Sequence, residues 1–150
     1  GKRQDPSVVA VILKALDILY LVHMKKFDLD TPYAAVIGYL KILADRWKYV
    51  ERILVDQTGV GEYVVEDMLN SNLPAEGIIL TLQKKEEIFT LLRNKMVEGK
   101  LKIPYDKELI SEINVEKFEL TKDGHIRFYH PENTHDDMLF ALALAVYEAS

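Results

Sequence analysis

The sequence has no cysteine, and this excludes several kinds of chemistry at once. Disulfide bridges, thiolate metal sites and catalysis by a cysteine nucleophile are all ruled out. No apolar run approaches the roughly 20 residues that a membrane-spanning helix needs. Glycine and proline are sparse, with seven and five among 150 residues, so collagenous and low-complexity chains are excluded. The length predicts a single domain over residues 1–150 that buries its own core.

Positive charge is also in deficit. Nineteen lysines and arginines stand against 24 aspartates and glutamates, which gives a net charge of −5. This balance argues against a protein that coats nucleic acid without specificity. A polyanionic partner would have to be bound through a local basic patch or through metal ions.

What is present is an alternation of strand-like and helix-like segments. Apolar runs at 8–13 and 17–23 predict a β-hairpin, and apolar spacing of three and four predicts a helix from Thr31 to about Trp47. Thr31 is expected to cap this helix, with Pro32 as its first residue. Further strands are predicted at 52–56, 77–81, 101–103, 118–120 and 126–129, and further helices at 62–69, 84–97, 106–113 and 138–149. This order predicts an α/β fold in which helices cover both faces of a largely parallel sheet.

Three aspartates stand where chemistry is expected. Asp56 ends a predicted central strand, at the edge where open α/β sheets bind ligands, and Asp136 and Asp137 open the last helix. Carboxylates that converge from separate elements repel one another unless a divalent cation neutralises them. Mg²⁺ and Mn²⁺ prefer such oxygen ligands, so a compact fold that brought these residues together would hold one of these ions.

Structural roles explain the same aspartates. Asp136 and Asp137 suit the N-cap and first turn of a helix, and Asp56 suits a turn or cap before Thr58–Gly61. That segment lacks the Lys-Ser/Thr ending of a phosphate-binding loop and the third glycine of a dinucleotide fingerprint. A tight turn between strand and helix therefore explains its glycines.

Two further features are candidates for a functional role. His135 precedes the acidic pair and could bind a metal or transfer a proton, although a lone histidine is more often a surface residue. Between residues 84 and 102, six basic residues stand against three acidic ones. This segment is either a solvated helix face or a track for a phosphate backbone.

Several motifs, taken in order, resemble a known family. They are Arg-Ile-Leu-Val-Asp-Gln-Thr-Gly-Val-Gly at 52–61 with Val-Val-Glu at 64–66, then 81–86, 91–99, 101–106, 109–110 and Glu112, and finally Thr-His-Asp-Asp at 134–137 with 141–145. Together they resemble the nuclease domain of phage terminase large subunits, and the likeness runs from Asp5 to Tyr147. Each motif alone is moderately specific, whereas their order and spacing together are strongly so.

This resemblance implies an RNase H-like fold, a mixed sheet flanked by helices on both faces. The implied activity is a divalent-metal-dependent endonuclease that cuts double-stranded viral DNA during packaging. Asp56 and Asp137 would bind metal, with Asp136 as companion, and His135 and Lys84 would lie near the site. Two ions, Mg²⁺ or Mn²⁺, would serve the reaction, one activating water and the other stabilising the leaving oxygen. Lys84 would stabilise the charged transition state.

The resemblance also implies features outside residues 1–150. The family's first metal ligand is an aspartate on a strand that would precede Gly1, so the sequence is expected to be a fragment with an incomplete ligand set. The implied partners are double-stranded DNA, an upstream ATPase domain, a portal and a small terminase subunit, without a membrane, in the host cytoplasm. The alternatives are another RNase H-like nuclease, such as a resolvase or hybrid nuclease, and a non-catalytic DNA-binding or assembly module.

Overall fold

The computed structural model describes residues 6–60, 62–104, 106–120, 126–129 and 136–150. In chain order its elements are β1 (Val8–Ala15), β2 (Ile18–Lys26), α1 (Tyr33–Trp47), β3 (Ile53–Asp56), α2 (Gln57–Val60), α3 (Glu62–Asn70), β4 (Ala75–Ile78), α4 (Leu82–Val97), β5 (Leu101–Lys102), α5 (Lys107–Val115), β6 (Lys117–Leu120), β7 (Ile126–Tyr129) and α6 (Asp137–Ala149). Among these residues, none of the helices combines the length and the apolar character that a membrane span requires.

The chain forms two compact units. Unit 1 comprises residues 1–7 and 27–80, and unit 2 comprises residues 8–26 and 81–150. The single domain that the length predicts stays a prediction.

Unit 1 is built on a parallel pair of strands. β3 and β4 run side by side, and Asp56 at the end of β3 pairs in register with Ile78 at the end of β4. α3 packs on β4 and contacts α1. The buried residues of these two helices recur at spacings of one, three and four, which places them on one face of each helix: Val36, Ile37, Leu40 and Leu43 on α1, and Val64, Val65 and Met68 on α3.

Unit 2 is organised around α6. Strands β1 and β2 form an antiparallel hairpin, and β5 adds to β2 in parallel. α6 packs on β1 and β2 and is in turn contacted by α4 and α5. Six of its residues are buried: Met138, Leu139, Leu142, Ala143, Leu144 and Val146. The prediction that this almost wholly apolar helix is buried is therefore confirmed.

Four features differ from the sequence-based expectations. Pro32, not Thr31, occupies the N-cap of α1, because the Thr31 hydroxyl instead donates to the carbonyl oxygen of Asp28 at 2.7 Å. The strand predicted at 77–81 lies at 75–78, and the turn predicted at 57–61 is helical over 57–60. The pairings β1–β2 and β6–β7 are antiparallel, so the strands are mixed in direction rather than largely parallel.

We expect Leu142→Ala to lower the free energy of unfolding by about 2–5 kcal/mol, because it removes a fully buried side chain from α6. Val97→Ala, at a position of α4 that is 75% exposed, is the control and should change stability by less than about 0.5 kcal/mol. Urea unfolding followed by circular dichroism measures both variants. Equally small effects would contradict the central position of α6 in the core of unit 2.

Candidate metal centre

The carboxylate of Asp56 has a structural task at the end of β3. Its Oδ1 atom accepts a hydrogen bond from the Thr58 backbone N–H at 2.9 Å. The Thr58 hydroxyl oxygen accepts another from the Leu80 backbone N–H, also at 2.9 Å. The capping role considered for Asp56 is thus confirmed. It occupies one carboxylate oxygen, and Oδ2 makes no hydrogen bond within the described part of the chain.

The backbone that carries Asp56 is held closely against β4. The side chain of Gln57 lies over Gly77, where a Cβ atom would overlap Gln57 Cδ. Glycine therefore leaves the space that the turn from β3 into α2 occupies. The position of Asp56 is fixed both by its own cap and by this packing.

At the start of α6 the cap comes from another helix. Asp136 occupies the N-cap position, but its side chain makes no capping hydrogen bond. Instead, Glu112 Oε1 on α5 accepts hydrogen bonds from the backbone N–H groups of Met138 and Leu139, each at 3.0 Å. These donors belong to the first turn, where no carbonyl within the helix can reach them. The expected capping by Asp136 is therefore wrong, because Glu112 takes that role.

Glu112 is the buried carboxylate of this region, only 5% exposed. Burial raises the pKa of Glu112 above its ordinary 4.5, and the nearby charge of Asp137 raises it further. The hydrogen bonds from Leu139 and Met138, and the charge of Lys26, act in the opposite direction on this pKa. Glu112 Oε2 is buried and accepts no hydrogen bond from the described residues, and Asp137 Oδ2 is buried as well.

Lys26, at the end of β2, supplies positive charge to this region. Its ammonium donates to Glu108 Oε1 at 2.5 Å. That hydrogen bond raises the pKa of Lys26, burial lowers it, and the charges of Glu108, Glu112 and Asp137 raise it. Three carboxylates thus act on the pKa of one ammonium, and carboxylate oxygens are the ligands that hard divalent cations prefer.

Lys84 contacts the opposite end of α6. Its ammonium donates to Glu87 Oε2 at 2.9 Å and to the Tyr147 hydroxyl at 3.3 Å, and these bonds, that to Glu87 first, raise the pKa of Lys84. Tyr147 follows Asp137 by ten residues on the same helix. At 1.5 Å per residue the two lie about 15 Å apart along the helix axis. The described contacts of Lys84 are thus with Glu87 and with the far end of α6, and its predicted place near the metal ligands stays a prediction.

The other basic residues of the segment 84–102 have varied surroundings. The Lys85 ammonium lies 5.6 Å from the centroid of the Phe140 ring, and Lys100 pairs with Glu98 at 3.5 Å and with Asp17 at 3.9 Å. A solvated helix face explains these contacts. The alternative, a phosphate-backbone track, stays a prediction.

Several predicted site residues are described separately or not at all. Asp56 belongs to unit 1 and Asp136 and Asp137 to unit 2, so the predicted meeting of these aspartates stays a prediction. His135 lies outside the described residues. Among the residues that are described, no group of three or more His, Cys, Asp and Glu side chains is arranged to hold a metal ion.

Comparison with known proteins identifies the fold. No family model matches the chain. The terminase large subunit of Thermus virus P23-45 is 27% identical over 151 residues, a match that covers 97% of this chain and 29% of that protein. The large terminase nuclease of thermophilic phage G20c with bound cobalt has a TM-score of 0.77 at 18% identity, covering 98% of this chain and 84% of that one. The same nuclease with bound magnesium gives a TM-score of 0.76 at 18% identity, with the same coverage.

The chain has the fold of a large-terminase nuclease domain. The resemblance inferred from the motifs and the RNase H-like α/β fold class are both confirmed. The chain spans 29% of the length of the curated relatives that it matches.

The sequence analysis did not predict the contacts that Glu112 and Lys26 make in unit 2. Glu112 stood only within a quoted motif. A signal for it exists, because Glu112 lies three residues after Leu109 and so shares the buried face of α5 with a leucine that is 0% exposed. A glutamate on the apolar face of a short helix indicates a buried partner. Lys26 carries no comparable local signal.

Glu112→Gln should change how the stability of this domain depends on pH. The pKa of Glu112 is higher in the folded protein than its ordinary value of 4.5. Its contribution to the free energy of unfolding is therefore fully present below pH 4.5 and is lost as the pH rises through the folded pKa. The glutamine does not ionise, yet it keeps an oxygen for the two backbone donors. It should therefore gain stability relative to the native chain as the pH rises above about 4.5.

Urea unfolding in EDTA at several pH values measures this difference. Glu51→Gln is the matched control, since Glu51 is exposed and belongs to unit 1. A stability difference between the native protein and Glu112→Gln that stayed constant with pH would contradict the burial of the charge.

Proposed function

We propose that the chain is a divalent-metal-dependent endonuclease domain that cuts double-stranded DNA during viral genome packaging. The observation that carries this proposal is the similarity to a terminase large subunit along 97% of the chain. The likeness in fold to the phage G20c nuclease, which binds cobalt and magnesium in its crystal structures, supports it over 98% of the chain.

We propose Asp56, Asp136 and Asp137 as the metal ligands. Carboxylate oxygens suit hard divalent cations, and Mg²⁺ or Mn²⁺ is the expected ion. The residues of each unit fit such a cation. In unit 1, the cap uses one oxygen of Asp56 and leaves Oδ2 for a metal. In unit 2, Asp137 stands beside the buried Glu112, where the described carboxylates exceed the charge of Lys26.

When bound, a divalent cation supplies a Lewis acid for the phosphodiester and lowers the pKa of an attacking water. The task of the protein is to hold its carboxylates in a fixed arrangement before DNA arrives. The Thr58 N–H orients the carboxylate of Asp56, and Glu112 fixes the turn that bears Asp137. His135 is proposed to transfer a proton.

Lys84 is proposed to stabilise negative charge on the DNA as it is cut. Its hydrogen bonds to Glu87 and Tyr147 favour the protonated form, so its pKa is raised and it stays positive at neutral pH. The side chain is 33% exposed, which leaves part of it accessible to a phosphate. Its pairing with Glu87 means that this role requires the ammonium to be shared with the DNA or released to it.

The remaining partners are proposed from the same likeness. They are an ATPase domain in the longer protein, a portal and a small terminase subunit, in the cytoplasm of the host cell. The matched segment is 29% of the Thermus virus protein, so that protein has room for further domains.

Asp56→Asn should abolish cutting of linear duplex DNA in Mn²⁺ without unfolding the protein. The asparagine keeps an oxygen for the Thr58 N–H but loses the charge that holds a cation. Asp137→Asn should have the same effect, and we expect a loss of at least about 100-fold for each. Asp45→Asn, an exposed position on α1, is the control and should cut at the native rate.

The assay uses the full-length protein and compares linear duplex, four-way junction and RNA–DNA hybrid substrates. Undiminished cutting by both asparagine variants would refute the ligand assignment. Preferential cutting of the junction or the hybrid would instead identify another kind of RNase H-like nuclease. DNA binding without cutting of any substrate would identify a non-catalytic module.

A further inference from the structure

The first turn of α6 is held from outside the helix. Glu112 reaches from α5 and accepts hydrogen bonds from Met138 and Leu139, the two residues that directly follow Asp137. The residue that does this is buried, with 5% of its surface exposed. Burying a carboxylate costs free energy because the charged group loses its hydration. A serine or an aspartate at the N-cap could accept such hydrogen bonds while it remained exposed to solvent.

We propose that Glu112 is a positioning residue for Asp137: its carboxylate holds the first turn of α6 in the orientation in which Asp137 binds a divalent cation. This inference rests on the proposed nuclease function. It assigns to Glu112 no contact with the metal or with DNA.

The covalent geometry gives the first step of the argument. The Met138 nitrogen is bonded to the carbonyl carbon of Asp137, and the peptide unit between them is planar. A hydrogen bond from that nitrogen to Glu112 therefore fixes the plane on one side of the Asp137 Cα atom. The second bond, from Leu139, fixes the next plane. With the backbone held at two points, the side chain of Asp137 leaves the helix in a defined direction.

The position of the cap gives the second step. Asp136 stands at the N-cap, yet the capping hydrogen bonds go to Glu112. A cap supplied by α5 means that neither aspartate of the pair has to turn back onto the helix. The carboxylate of Asp136 then does not have to share its oxygens between a cap and a cation, as the carboxylate of Asp56 does in unit 1.

The charge distribution gives the third step. Lys26, the cation of this region, donates its hydrogen bond to Glu108 rather than to Glu112. Glu112 Oε2 receives no hydrogen bond from the described residues, so the charge of Glu112 is balanced only in part. The charge of Asp137 adds to this excess. Glu112 is therefore held to the first turn of α6 and not to the ammonium of Lys26, and its two hydrogen bonds to the amides, not its charge, orient Asp137.

Two substitutions at Glu112 separate the effect of side-chain length from the effect of charge. Glu112→Gln keeps the length of the side chain and an acceptor oxygen but removes the charge. Glu112→Asp keeps the charge but shortens the side chain by one methylene, so that it no longer reaches both donors. Glu51→Gln, at an exposed position of unit 1, is the control. All are made in the full-length protein, and thermal unfolding establishes the temperature at which each variant is folded.

Mn²⁺ is the probe, and its affinity is measured by the electron paramagnetic resonance of the free ion. Hydrogen exchange at the Met138 and Leu139 amides, recorded without metal, reports the cap itself. We expect Glu112→Asp to weaken Mn²⁺ binding about 10–100-fold, the usual effect of losing a residue that orients a ligand. Exchange at both amides should rise in this variant. Glu112→Gln should bind Mn²⁺ nearly as the native protein does, with both amides still protected.

Cutting of duplex DNA supplies a second discrimination. In Glu112→Asp the Mn²⁺ concentration for half-maximal cutting should rise, while kcat at saturating Mn²⁺ stays close to native. Native Mn²⁺ affinity in Glu112→Asp, together with faster amide exchange, would reduce Glu112 to a structural cap and overturn the proposal. Weak binding in Glu112→Gln with native binding in Glu112→Asp would overturn it too, because charge rather than position would then matter.

A different result would contradict the proposed function itself. If the native protein neither binds Mn²⁺ nor cuts DNA, the nuclease assignment is wrong, and the positioning role falls with it. If the native protein does both and the two Glu112 variants behave alike, only the positioning role is overturned.

Discussion

Two hydrogen bonds from the start of α6 to Glu112 are the constraint on which unit 2 depends. α6 is the most buried helix of this unit, and Asp137 is its first residue. The position of the first turn therefore sets the position of Asp137. Unmet donors at a buried helix end would cost about 1–3 kcal/mol each, and a charged acceptor contributes about 1.5–3 kcal/mol per bond. Burial of the carboxylate offsets part of this gain, and burial is the largest cause of the raised pKa of Glu112. A carboxyl group whose pKa is raised by burial and by a second carboxylate is a feature found at many functional sites.

In unit 1, a single residue, Asp56, both caps a helix and is proposed to bind the metal. Its carboxylate caps α2 with one oxygen and keeps the other for a possible cation, so one side chain serves both the fold and the proposed chemistry. At α6 these two tasks are divided between Glu112 and Asp137. The division explains why replacement of a single aspartate by alanine would mix structural and chemical effects, and why amide replacements are the informative ones.

Local patterns account for most of what the sequence predicted. The hairpin β1–β2 and the end of α4 at Val97, close before Gly99 with its φ of +70°, follow from residues close together in the chain. The wrong predictions concern helix caps, where a distant or competing group makes the hydrogen bond instead. Thr31 fails to cap α1 because its hydroxyl bonds Asp28, and Asp136 fails to cap α6 because Glu112 arrives from another helix. Lys84 pairs with Glu87 at a spacing of three, which the sequence could have indicated, but its contact with Tyr147 depends on how α4 packs on α6.

The central claim is that the aspartate opening α6 is a ligand of a divalent cation. Anomalous diffraction from crystals of the full-length protein soaked in Mn²⁺ tests it most directly, because the signal locates the ion without reference to activity. The account predicts a manganese peak at bonding distance, about 2.1 Å, from a carboxylate oxygen of Asp137, with Glu112 still on the amides of Met138 and Leu139. A fully occupied manganese ion bound elsewhere, with none at Asp137, would contradict it.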